Sequence, residues 1–243
     1  MAYPNINSIP GTQQRNLGPV TEALLPLVEE LLAVYSDSEV TPRVLELASH
    51  PYTHILSWAK RWPSVEWWGS ARDTEQIRDI EAVLGSTPTD DRPPSNLRHP
   101  IRLDIQSESD WTNLRALLDG QSIQLGGVIM LNLIHCCPLG VPEEIFKHLS
   151  GDISSSDVDE SLLHSSSSWV AAYGPWKNDD GTYKSDADKA FEESHIRSSD
   201  PSLGLRSIQS ITSMAERHGF IEDKRVKMPA GNVFVVWRRR VVV

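Results

Sequence analysis

The chain has 243 residues, 39% hydrophobic and 23% charged, which suits one α/β domain with a full core. Its 23 Lys and Arg against 33 Asp and Glu leave a net charge of −10, a balance that repels phosphate backbones and anionic lipid. Nucleic acid and membrane surfaces are therefore excluded as expected partners, in favour of a small molecule.

The first predicted element is an amphipathic helix over 18–36, where Leu24, Leu27, Val28, Leu31 and Leu32 recur at helical spacing opposite paired acids. RVLELAS (43–49) then reads as a buried strand and HILSWAKRW (54–62) as the helix after it. A second strand, SVEWWGS (64–70), precedes the helix DTEQIRDIEAVLG (73–85), with Asp73 placed as its N-cap. Three further strands are expected at HPIRLDI (99–105), GGVIMLNLI (126–134) and WVAAYGP (169–175). Helices DWTNLRALLDG (110–120) and VPEEIFKHLS (141–150) lie between them.

Such alternation specifies a largely parallel sheet with helices on both faces. GFIEDKRVKM and NVFVVWRRRVVV, separated by Pro-Ala-Gly, should close it as an antiparallel hairpin. Polar stretches near 85–100 and 151–168 read as surface insertions, the second with the composition of a disordered segment. One domain is expected over 1–243. No leader peptide or run of about 18 apolar residues is evident. The only cysteines, Cys136 and Cys137, are adjacent and form no spaced framework, so the expectation is a soluble cytoplasmic protein.

Several segments carry a more specific signal: VLELAS (44–49), LDI (103–105), NLIHCCP (132–138), YGPW (173–176), AFEES (190–194), DPSLGLR (200–206) and MPAGN (228–232). In this order they resemble an uncharacterised methyltransferase-like family with the class I S-adenosylmethionine (SAM) dependent methyltransferase fold. The resemblance implies a Rossmann-like three-layer sandwich with a mostly parallel sheet ending in an antiparallel hairpin. It also implies a SAM site at the carboxyl end of the first strand.

Two parts of that site depart from the family pattern. ASGxGQH becomes Ala48-Ser49-His50-Pro51-Tyr52-Thr53-His54, with side chains at both glycine positions, and SDxD becomes Ser70-Ala71-Arg72-Asp73, losing the acid expected to hold the ribose. If SAM binds, Glu46, Asp73 and Asp104 are the acids left to receive it; otherwise no cofactor is expected, and no metal cluster is evident. With an imidazole and a phenol ring in the cofactor's space, the expected activity is a SAM-independent cyclase or isomerase, of pericyclase type, acting on a hydrophobic biosynthetic intermediate. An O- or N-methyltransferase and a non-catalytic binding protein are the alternatives. His50, Tyr52 and His135 are the candidate catalytic residues. His54, Trp67, Trp68, Asn132, Tyr173, Trp176 and Arg206 are the candidate substrate contacts, because ligands of open α/β sheets bind beyond the carboxyl ends of the strands. Trp58 and Trp62, four apart on one helix, are expected to pack on the sheet.

Overall fold

In the computed structural model, residues 4–6, 9–85, 92–119, 124–151, 161–164 and 167–240 are described. The chain runs α1 (Thr12–Val34), β1 (Arg43–Leu47), α2 (Thr53–Arg61), β2 (Glu66–Ala71), α3 (Thr74–Gly85), β3 (Ile101–Arg102), α4 (Glu108–Asp119), β4 (Gly127–Leu131), α5 (Gly140–Ser150) and β5 (Trp169–Gly174). It continues through α6 (Asp186–Phe191), a π-helical turn (Glu192–Ile196), α7 (Ile208–Arg217) and the hairpin β6 (Phe220–Lys227) and β7 (Val233–Arg239).

The strands form one sheet in the order β3-β2-β1-β4-β5-β7-β6, the first five parallel and β7 antiparallel to both its neighbours. This is the methyltransferase-like α/β arrangement that the sequence implied. All residues of β1 are buried, as a strand covered on both faces requires, and alternate side chains enter two cores. Leu45, Trp68, Val128 and Val170 pack against Trp111 of α4, Ile145 of α5 and Ile211 of α7. Val44, Trp67, Ile129 and Ala171 face Leu24 and Val28 of α1 and Trp58 of α2. Trp58 and Trp62 do pack on the sheet, their rings 5.6 and 5.8 Å from that of Trp67.

Three expectations need adjustment. The strand at 99–105 contracts to Ile101–Arg102, because the Asp104 amide already donates to the Asp110 carboxylate in the turn that opens α4. No element was expected between β5 and the hairpin, yet α6, the π turn and α7 lie there; α7 is capped by the Ser207 hydroxyl and buries Ile208, Ile211, Thr212 and Ala215. The polar stretches are partly built into the fold. Asn96 donates to the carbonyls of Ala59, Trp62 and Val65, and Leu163 bridges Leu125. The composition that suggested disorder falls mainly on 152–160 and 165–166, outside the described residues. Among the described residues no helix is long and apolar enough to cross a membrane.

From β1 the chain proceeds outward through β2 and β3, then returns to lay β4 on the other side of β1. That reversal splays the loops after β1 and β4 apart and leaves a crevice at their carboxyl ends.

Candidate functional site

A cavity of about 750 Å³ occupies this crevice. Ala48 and His50 line it after β1, Asn132 and His135 after β4, Gln76 and Asp79 from α3, and Phe191 and His195 from α6 and the π turn. Asn5, Gln13 and Asn16 reach it from the chain's N-terminal part.

The loop after β1 is tightly bonded. The Ser49 amide donates to the Ser70 carbonyl at 2.7 Å, its hydroxyl donates to the Glu46 carbonyl, and the Ser70 amide donates back to that hydroxyl. The His50–Pro51 peptide is cis, and Ala48 and Tyr52 hold left-handed φ angles of 52° and 75°. Tyr52 thus keeps a glycine-like backbone at a position where the related family has glycine, at a steric cost of roughly 1–2 kcal/mol.

Its ring does not fill the cavity, which corrects the expectation that phenol and imidazole together close the cofactor space. Tyr52 is 1% exposed and lies over Gly69 of β2, where a β-carbon would meet the ring at 2.3 Å; its hydroxyl donates to the Arg98 carbonyl. Burying that ring offsets the backbone strain. A catalytic role for Tyr52 therefore lacks access to the cavity. His50 does face it, with Nε2 3.5 Å from the Asp79 carboxylate on α3.

The acids named for SAM are differently employed. Glu46 is 2% exposed, and burial pushes its carboxyl up to about 8 against the pull of a Ser49 hydrogen bond; it does not line the cavity. Asp104 accepts from the Gln106 amide in the turn before α4, also away from the cavity. Asp73 lines it, but one carboxylate oxygen caps α3 through the Gln76 amide and the other accepts from the Asn5 amide.

The candidate substrate contacts divide in the same way. Trp67 and Trp68 enter opposite cores, Trp176 is 1% exposed with its indole N–H donated to the Val233 carbonyl, and Arg206 donates to the Ser202 carbonyl; none lines the cavity. His54, on α2, is buried beside Trp58, which pushes its imidazole down to about 4, and it too is off the cavity. Tyr173 stands behind the wall, donating to Asn16 at 2.9 Å and accepting from Asn232 at 2.8 Å, two residues that do face the cavity.

Asn132 and His135 are brought together. Asn132 has a left-handed φ of 54°, and its amide donates to the Tyr173 carbonyl. His135 is 5% exposed, and burial, followed by the charges of His195 and Arg206, pushes its imidazole down to about 3. The ring packs edge-on to Phe191 at 6.0 Å, and Phe191 stacks on His195 at 5.3 Å.

Phe191 and His195 were not anticipated as site residues, although AFEES was noted as a family motif. The buried Glu192 beside them fixes the segment: it pairs with Lys177 and Arg197 and accepts from the Tyr183 hydroxyl and the Leu205 amide. Irregular π turns of this kind often accompany functional sites. Among the described residues no group of three or more His, Cys, Asp or Glu could hold a metal ion.

Solved structures show the same fold at low identity. An O-methyltransferase family protein from Burkholderia thailandensis matches with a TM-score of 0.60 at 12% identity, over 95% of this chain and 61% of that one. LepI in complex with SAM matches at 0.59 and 11%, over 88% of this chain and 47% of LepI. A structure described as a pericyclic reaction enzyme gives the same values, 0.59 and 11%, over 88% and 47%. The chain thus spans about half to three fifths of the length of these neighbours. A family model described as a protein of unknown function (DUF938) matches residues 9–239, and the chain belongs to that family.

Proposed function

We propose that the cavity is the active site of a small-molecule cyclase or isomerase that works without SAM. One observation carries the reading: the acids that the family pattern would offer a nucleoside are absent or committed elsewhere. Ala71 replaces the expected ribose ligand, both oxygens of Asp73 are already bonded, and Glu46 and Asp104 lie off the cavity wall. Losing one charge-assisted hydrogen bond of about 1.5–3 kcal/mol weakens binding by roughly 10- to 150-fold. The donor set therefore does not fit a ribose clamp of the implied kind, and no catalytic step is routed through SAM.

What the cavity offers instead is positioning and hydrogen bonding. An imidazole held down to about 3 is neutral at working pH. Such a ring is a poor base, because efficient proton removal needs a group titrating near the operating pH, but it can donate one hydrogen bond and accept another. A preorganised donor of this kind stabilises a developing oxyanion by about 3–4 kcal/mol. A rearrangement that shifts charge without complete proton transfer, as in a pericyclic reaction, suits these groups better than acid–base cyclisation. The pericyclic description of one fold neighbour and the SAM bound to LepI supply analogy only.

SAM-dependent methyl transfer is the second reading. It is favoured by the departure of the Tyr52 ring from the cavity and by its glycine-like backbone, which leave more room than the sequence implied.

Incubating the protein with the small-molecule extract of a strain lacking it, with and without added SAM, separates the two readings. Conversion of one compound to a product of equal mass in both conditions supports the cyclase or isomerase. A product heavier by one CH2 unit, formed only with SAM, overturns it.

A further inference from the structure

The end of β5 carries a feature that the fold does not require. Gly174, its last residue, has no left-handed φ, so its backbone conformation is open to any residue. A β-carbon there would lie 3.4 Å from Nδ1 and Cε1 of His135 and 3.6 Å from Oδ1 of Asn132, all ordinary contact distances. The missing methyl group leaves a gap beside Asn132 and His135, two polar side chains that line the cavity.

Neither side chain hydrogen-bonds to another described residue, and both line the cavity, where their polar atoms are open to a ligand. Two polar groups open to the cavity therefore flank one gap.

We propose that the Gly174 notch is a seat for a hydroxyl group of the substrate, an enol, phenol or alcohol, which donates to Asn132 Oδ1 and accepts from the Nδ1–H of a neutral His135. A hydroxyl satisfies both partners because it donates and accepts at once. Gly174 is then a specificity-determining residue, since a methyl group there occupies the seat without disturbing the strand. The inference rests on the cavity being a small-molecule site but holds whether or not SAM takes part.

Titrating isotope-labelled protein with phenol and with anisole, which keeps the ring and loses the donor, tests the seat by nuclear magnetic resonance of the His135 ring and the Asn132 side-chain amide. Phenol is expected to shift both signals saturably and to bind about tenfold or more tightly than anisole. Gly174→Ala should abolish that preference while leaving the melting temperature of the protein unchanged. The seat is overturned if phenol leaves both signals unmoved, if the two probes bind alike, or if Gly174→Ala retains the wild-type preference. SAM binding by the same protein would contradict the SAM-independent reading alone, so the two failures are distinguishable.

Discussion

The loops after β1 and β4 leave their strands in the same way, yet Tyr52 in the one and Asn132 in the other send their side chains in opposite directions. Each leaves its strand through a left-handed residue that is not glycine, Ala48 and Tyr52 in one case and Asn132 in the other. After β1 the strain is offset locally: the Tyr52 ring fills a slot opened by Gly69, and Ser49 bonds to Glu46 and Ser70. After β4 the loop is held by backbone bonds such as that from the Asn132 amide to the Tyr173 carbonyl, and the side chains of Asn132 and His135 stand toward the cavity. A Tyr52 ring bedded in the core marks its turn of the first loop as structural; side chains left open to the cavity mark the second as a place for a ligand.

Replacing the left-handed residue by glycine in each loop breaks or sharpens this comparison. Tyr52→Gly relieves the backbone but empties a buried slot, and a net destabilisation of about 2–4 kcal/mol is expected in denaturant unfolding. A stabilising effect would show that the ring is not an anchor.

A second consequence concerns pH. Glu46 binds its proton up to about 8 in the folded chain, against an ordinary value of 4.5. The native state therefore holds more protons than the unfolded state between those values, so this group's contribution to stability falls as pH rises through that window. The slope is up to about 1.4 kcal/mol per pH unit. Glu46→Gln should flatten the decline between pH 5 and pH 8 in unfolding curves, and an unchanged slope would remove Glu46 as its source.

The smallest effect belongs to the β4 loop. Asn132→Gly should stay within about 1 kcal/mol of wild type, on the stabilising side, because it frees the backbone and breaks no side-chain bond. Its cost should appear instead as lost turnover in the extract assay. Destabilisation comparable to that of Tyr52→Gly would erase the contrast between the loops.

Much of this architecture was legible in the residues. VLELAS, SVEWWGS and WVAAYGP announced buried parallel strands, and PAG between two alternating runs announced the hairpin. The position of the cavity followed from strand order, and His50, Asn132 and His135 were named from it. What could not be read was direction. Nothing in HPYTH shows that Tyr52 turns beneath β2, because the slot that accepts it is made by Gly69, in another strand. Trp67, Trp68 and Trp176 were expected as substrate contacts for the same reason: ring size is written in the sequence, while the core that each ring enters is set by register and packing. Phe191 and His195 escaped notice because no helix was expected over 186–196, so nothing in the sequence set that segment against the cavity. Gly174 stood in the YGPW segment of the resemblance, but its place beside Asn132 and His135 could be read only from its neighbours in space.

The central claim is that this cavity has given up its hold on the sulfonium nucleoside and acts on another small molecule directly. Titration calorimetry with SAM and with its demethylated product tests it most directly. The account predicts no saturable heat at micromolar ligand; micromolar binding of either nucleoside would contradict it.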